Sequence, residues 1–241
     1  MAQTANPAIT WAQALGTNLH DLNFVLRQGR LGRSFFARDA LAVAKSLIGC
    51  SIVREVGRGV VRVARIVETE AYRGPRDLAC HARAGLTKRT RSLLGTEGHA
   101  YVFLVYGMHE CFNVTCRGVG AGHAVLVRAA EPLLGFAEGA RLDGPGRFAK
   151  AMGLSRADDG ADLTEPPLYL VARDRRPRIL TTARVGVAYA AEYADVPWRF
   201  YDAASKQVSR PPKSSIGGRG GHPPRLSAGA PSALRSASRG T

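Results

Sequence analysis

The run from Val60 to Tyr72 limits what this chain can fold into more than any other segment. Six of its thirteen residues are β-branched (Val60, Val61, Val63, Ile66, Val67 and Thr69). Such side chains pack well on a pleated surface and lose rotamer freedom in a helix. The run therefore reads as one long strand or two joined ones, and the domain around it must contain a sheet. Within it, Val67-Glu68-Thr69-Glu70-Ala71-Tyr72 holds two glutamates, a residue type with low strand propensity. The strand period of two sends Glu68, Glu70 and Tyr72 to one face and Val67, Thr69 and Ala71 to the other. Two carboxylates and a phenol on one face suit either a charged edge strand or a cleft in which one carboxylate serves as a general base. Periodicity sets the glutamates side by side and does not choose between them.

Other segments supply the partners for that strand. Ser34 precedes Phe36, Ala40, Val43, Ala44 and Leu47 at helical spacing, and Gly49 follows as a C-cap, so a helix is expected over 36–48. Segments 100–106 and 111–116 read as strands separated only by Gly107 to Glu110, which makes them a hairpin. Val125 to Ala129 reads as a further strand and 145–153 as a short helix ending at Gly153; segments 168–172 and 184–189 are expected to form a last strand pair. No internal repeat interrupts this mixed order, which implies an α+β domain built on an antiparallel sheet.

Charge narrows the class of partner. The 241 residues hold 34 Lys and Arg against 19 Asp and Glu, a formal +15, which favours a polyanion: nucleic acid first, an anionic membrane surface second. From Ala203 onward there are seven basic residues and no acid, among Pro, Gly, Ser and Ala that cannot bury enough apolar surface to order themselves. A disordered basic tail is expected over 207–241. The first 30 residues form an N-terminal extension, and 31–202 still carry 25 basic against 18 acidic residues, so the basicity is not the tail's alone. Four cysteines are too few to staple a chain of this size, and their spacings relative to His81 and His109 match no standard zinc pattern. A reducing, cytoplasmic setting without metal is expected. The N-terminus lacks a signal-peptide layout and no apolar run approaches ~20 residues, so no membrane association is expected.

Two segments together point to a family. Arg65-Ile66-Val67-Glu68-Thr69-Glu70-Ala71-Tyr72-Arg73-Gly74-Pro75, followed by Asp77 and Ala79-Cys80-His81, resembles the signature of the alkyladenine (3-methyladenine) DNA glycosylases, in their bacterial form. Tyr101-Val102-Phe103-Leu104-Val105-Tyr106-Gly107-Met108-His109 resembles that family's hairpin. Val125 to Pro132, Asp143 to Arg147, Gly160 to Leu163, Arg184 to Val187 and Pro197 to Tyr201 resemble later landmarks, so the likeness runs over about 33–210. It departs at Ala204-Ser205-Lys206, where a Gly-Ser-Pro turn is usual, and at Phe103, where many members have tyrosine.

The resemblance implies a single glycosylase domain over 31–206, with a curved, mainly antiparallel sheet flanked by helices and a protruding hairpin. It assigns Glu70 as the carboxylate that activates water and Arg128 as the arginine that helps hold that water. Tyr72, His81, Phe103 and Asn113 would line the base pocket, with Val185 and Gly186 offering backbone groups. Tyr106 would wedge into the minor groove in place of the flipped nucleotide. The residues suit this chemistry, since a base inside the stack cannot be attacked at its sugar and must first be rotated out. Cleavage then develops positive charge near C1′, which a carboxylate both stabilises and exploits. An arginine in a strand also commonly serves a salt bridge, here with Glu68 or Glu131, and the two roles are compatible. No lysine lies in a segment matched to the pocket, so a monofunctional enzyme without a Schiff base is expected. The substrate expected is duplex DNA with alkylated or deaminated purines, acted on by a monomer without cofactor. A plain nucleic-acid-binding module would have no use for two carboxylates in its cleft, and nothing else resembles the sugar platform of a glycan hydrolase.

Overall fold

The computed structural model describes residues 29–57, 60–173 and 176–209. The expected N-terminal extension up to residue 28 and the tail from 210 onward lie outside the described residues. Short helices α1 (Arg33–Phe36) and α2 (Ala40–Leu47) precede strands β1 (Ser51–Gly57) and β2 (Val60–Arg73). Then come β3 (Ala100–Val105), β4 (His109–Cys116), β5 (His123–Leu134), helix α3 (Pro145–Met152), β6 (Leu168–Val171), β7 (Ile179–Thr182) and β8 (Arg199–Asp202). This is the expected α+β class: one antiparallel sheet in the order β3-β4-β5-β2-β1-β6, with few helices. The sheet branches at β2. β1 pairs with its first half, and β8 pairs with Glu68, Thr69 and Glu70 farther along the strand. β7 then extends β8.

The core lies between one face of this curled sheet and the helices. Ala40, Val43, Ala44 and Leu47 of α2 are fully buried with Ile66 and Ala71 of β2, Val125 and Val127 of β5, and Phe148 and Met152 of α3. At roughly 1.5–3 kcal/mol per large apolar side chain withdrawn from water, this layer outweighs any local propensity in fixing the sheet's orientation.

Several expectations need correction. The helix over 36–48 is broken in two, because Asp39 accepts from Leu41 N at 2.9 Å and starts α2 afresh as an N-cap. β1 was not foreseen, and it takes the place beside β6 that had been assigned to 184–189. Residues 184–189 form no strand, since Gly186 has φ 77° and the Val185 N–H points away to a side chain.

The strict period of two also fails inside β2. Ile66 pairs with Ala130, Glu68 with Ala129 and Thr69 with Val127, so each strand carries one extra residue here, Val67 on β2 and Arg128 on β5. These paired bulges reverse which alternate residues face the core. Ala64 and Ile66 face it before the bulge and Ala71 after it, with Thr69 donating to Ala44 O of α2 at 3.0 Å. Glu68, Glu70 and Tyr72 keep the opposite face, as expected.

Candidate active site

Glu68 and Glu70 are both completely buried, which demands partners, since an unpaired buried carboxylate is very costly. The two are partnered differently. Glu68 Oε1 accepts from Arg128 Nε at 2.8 Å, Arg199 Nε at 2.7 Å and Ser209 Oγ at 2.9 Å, and its Oε2 accepts from Ser209 N at 2.6 Å. Glu70 Oε1 accepts from Val185 N at 2.7 Å and lies 3.2 Å from Arg128 Nη1, and its Oε2 accepts from the Tyr72 hydroxyl at 2.9 Å. A carboxylate offers about four lone-pair positions. Four donors reach Glu68, three of them on Oε1, and three reach Glu70; each Oε2 accepts from a single group. The difference between the two glutamates lies in where their partners stand: Tyr72, Arg128 and Val185, which hold Glu70, all line one cavity, whereas Glu68 is held mainly by Arg199 and Ser209, which do not.

The surrounding charges hold these groups in fixed roles. Burial works against the charge of Arg128, but Glu70 and Glu68 more than compensate and raise its pKa. Burial, reinforced by the charge on Glu70, raises the Tyr72 hydroxyl well above its ordinary value, so it stays a hydrogen-bond donor. Behind the Tyr72 ring the Arg184 guanidinium stacks at 4.7 Å, also facing Trp198 at 5.0 Å. Arg184 is held by a fully buried two-bond pair with Asp77, at 2.6 and 2.9 Å, and by Ala71 O. The ring thus rests on a cation that is itself fixed in place.

That cavity has a volume of about 430 Å³ and is bounded by Tyr72, His81, Phe103, Tyr106, Asn113, Arg128, Val185 and Gly186, a size typical of small-molecule sites. Every other expected site residue thus meets around the end of the carboxylate strand. His81 Nδ1 lies 2.9 Å from the Tyr101 hydroxyl, and its ring meets Phe103 edge-on at 4.5 Å. Burial, then the nearby Arg89 charge, lowers the His81 pKa to about 4, so the ring is neutral near pH 7. Asn113 is buried and spends its amide N–H groups on the carbonyls of Tyr101 and Cys111 at 3.0 and 3.3 Å. The residue borders the cavity. Of the backbone groups at Val185 and Gly186, the Val185 N–H donates to Glu70.

Tyr106 stands at the hairpin tip, 88% exposed. β3 ends one residue earlier than expected, and Met108 N donates to Val105 O at 3.2 Å across Tyr106 and Gly107, whose φ values are 51° and 68°. Positive φ at both central positions is the demand of a type I′ turn. Glycine meets it freely, whereas tyrosine carries about 1–2 kcal/mol of strain. A bulky residue kept at a strained, exposed position is a mark of function. At the other end of the turn, Glu110 pairs with Arg156 at 3.3 Å.

Several residues of the site were not foreseen. Tyr101 shares the face of Phe103 two residues away, so strand period alone had the signal. Arg89, whose guanidinium lies 5.0 Å over the Phe103 ring, Arg184, Arg199 and Ser209 left no local signal. All are brought in by loops or by β8. The four cysteines are free and buried; burial pushes the thiol of Cys111, at the cavity wall, up to about 11. Among the described residues no group of three or more His, Cys, Asp or Glu is arranged to hold a metal, and no helix is long and apolar enough to cross a membrane.

Comparison with known proteins gives the family. The family model for methylpurine-DNA glycosylase matches residues 34–206. A protein of Myxococcus xanthus is 50% identical over 184 residues, covering 76% of this chain and 94% of the relative. One from Anaeromyxobacter sp. is 45% identical over 185 residues, covering 76% and 94%, and one from Methanocella arvoryzae is 43% identical over 192 residues, covering 75% and 96%. Each is provisionally named a 3-methyladenine DNA glycosylase. With a matching family model over most of its domain, the chain belongs to the methylpurine-DNA glycosylase family, DNA-repair hydrolases of N-glycosyl bonds.

Proposed function

We propose that this glycosylase flips alkylated or deaminated purines out of duplex DNA and hydrolyses their N-glycosidic bond with a water activated by Glu70. The observation that carries the reading is that all three partners of the buried Glu70, namely Tyr72, Arg128 and Val185, line the aromatic cavity. A water there gives a proton to Glu70 while its oxygen bonds to C1′, and the bonding pair of the broken C1′–N bond leaves with the purine. A base already carrying positive charge, such as 3-methyladenine or 7-methylguanine, departs neutral. Hypoxanthine or ethenoadenine departs as an anion that takes a proton from solvent.

The other residues divide the remaining work. Tyr106 occupies the gap left in the stack, offsetting an unstacking cost of a few kcal/mol. Tyr72 and Phe103 stack on the extruded ring, for which an aromatic face suffices without the hydroxyl that Phe103 lacks. Neutral His81, its Nδ1 tied to Tyr101 and its Nε2 3.4 Å from Arg89 Nη2, gives the cavity wall a polar group. Arg128 holds Glu70 and screens its charge, and Asn113 forms the floor. No lysine lines the cavity among the described residues, which favours simple hydrolysis leaving an abasic site over Schiff-base chemistry. The protein acts as a monomer on double-stranded DNA, without a cofactor.

The test is incubation with duplexes carrying one hypoxanthine, ethenoadenine, 3-methyladenine or 7-methylguanine, followed by hot alkali to reveal abasic sites. Lesion-dependent strand breaks are expected. Their absence with all four lesions would refute the reading.

A further inference from the structure

The Arg128 guanidinium has three nitrogens, and they face three different partners. Nε donates to Glu68 at 2.8 Å and Nη1 lies 3.2 Å from Glu70. The remaining edge belongs to a residue far along the chain: Nε and Nη2 donate to Ser209 Oγ at 3.3 and 3.2 Å. The same hydroxyl donates to Glu68 Oε1 at 2.9 Å, and the Ser209 N–H donates to Glu68 Oε2 at 2.6 Å. A serine hydroxyl has one hydrogen and two lone pairs. Here all three are spent, on Glu68 and on two nitrogens of one guanidinium.

The consequence is orientational. A planar guanidinium held along its Nε–Nη2 edge has only one direction left for Nη1, and that direction is Glu70. Burial strengthens the constraint: Glu68 is completely buried, Arg128 is 6% exposed and Val208, next to the serine, is 9% exposed. Arg199, brought in by β8, balances the charge of Glu68 from the other side.

Resting on the function proposed above, we propose that Ser209 and Glu68 are positioning residues for the hydrolysis. They lock Arg128 so that Nη1 stays on Glu70 Oε1 and the Glu70 carboxylate keeps one direction. The segment after β8 is then part of the catalytic apparatus, although it touches neither base nor sugar. The contact belongs to the hydroxyl: alanine at 209 keeps the backbone N–H to Glu68 and removes only the three hydroxyl bonds.

The experiment compares the full chain with Ser209→Ala, Ser209→Thr and Ser205→Ala. The last removes a hydroxyl of the same segment that donates to Glu131 at 2.7 Å and does not contact Arg128. Single-turnover excision of hypoxanthine from duplex, duplex affinity, thermal midpoint and the hydrogen exchange of the Arg128 Nε–H by NMR are measured. Ser209→Ala is expected to slow excision by about ten- to a hundredfold, the range for losing a hydrogen bond to a charged group. Duplex affinity should stay unchanged and the Nε–H should exchange faster. Ser209→Thr should restore the rate to within about threefold, and Ser205→Ala should stay within about twofold of the parental rate. A parental rate and parental exchange in Ser209→Ala, an equal loss in Ser205→Ala, or a loss that threonine does not restore would each overturn the proposal. If the parental protein excises no lesion at all, the function proposed above fails, and the Nε–H exchange alone still decides whether Ser209 fixes Arg128.

Discussion

In the middle of β2, Glu68 and Glu70 are completely buried and accept bonds from two arginines, a tyrosine, a serine and a backbone amide. At the tip of the β3–β4 hairpin, Tyr106 is 88% exposed and strained, held by little beyond its own turn. The first region is over-determined and the second under-determined, yet the proposed reaction needs both. The contrast follows from what each must do. A base that acts on one water needs a fixed direction, and buried, fully bonded polar groups supply it at high stakes, since any lost partner leaves an uncompensated charge. A wedge must leave water and enter a stack, so contacts to its own protein would only hold it back.

The sharpest test of this contrast is at Glu70. Glu70→Gln is isosteric, and its amide oxygen still accepts from Val185 N, so the fold should persist while excision falls by about 10²- to 10⁴-fold. Lesion-duplex kinetics alongside a thermal melt check this; excision at the parental rate would remove Glu70 from the mechanism. One residue pair away the outcome should invert in kind. Glu68→Ala removes the buried carboxylate that Arg128 and Arg199 share, and a loss of about 3–5 kcal/mol in stability is expected by denaturant titration. A loss below about 1 kcal/mol would show the cluster to be less tightly determined than its geometry implies.

At the tip, activity and stability should part company in the other direction. Tyr106→Ser should reduce excision from duplex by more than about tenfold and from single strands much less, because only the duplex has a gap to fill. Tyr106→Asn should behave alike in activity while raising stability by up to about 1 kcal/mol, since asparagine tolerates the left-handed region. A destabilised Tyr106→Asn protein would mean that the tyrosine is a structural residue.

The smallest effect concerns His81. Its folded pKa, about 4, lies below the ordinary 6.5, so the unfolded chain binds the extra proton first as pH falls. The stability contributed by the neutral ring is therefore complete above about pH 6.5 and is lost progressively between there and pH 4. His81→Gln should flatten that part of the pH–stability curve. An unchanged slope would show that the ring protonates as easily folded as unfolded.

Much of the site was legible because its key residues sit close together on two strands. Glu70 and Tyr72 lie two apart, as do Tyr101 and Phe103, and Tyr106 follows in the hairpin turn. Strand periodicity and family likeness both act at that range. Legibility ended where partners come from afar. Nothing near Arg184 announces Asp77, more than a hundred residues earlier. Ser209 fell in a segment read as disordered because composition there reports low apolar content and is blind to a single serine docking on a buried carboxylate. The segment 184–189 misled for a related reason: its apolar residues suggest a strand, but the Val185 N–H has a stronger claimant in Glu70.

By itself the sequence determined that β2 is a strand, that two carboxylates and a phenol share one of its faces, and that an aromatic stands beside a hairpin turn, because those are properties of local spacing and side-chain shape. The tertiary structure alone decided how each carboxylate is held. That depends on which donors reach it, and Arg128, Arg199, Val185 and Ser209 arrive through paired bulges, a late strand and loops distant in the chain.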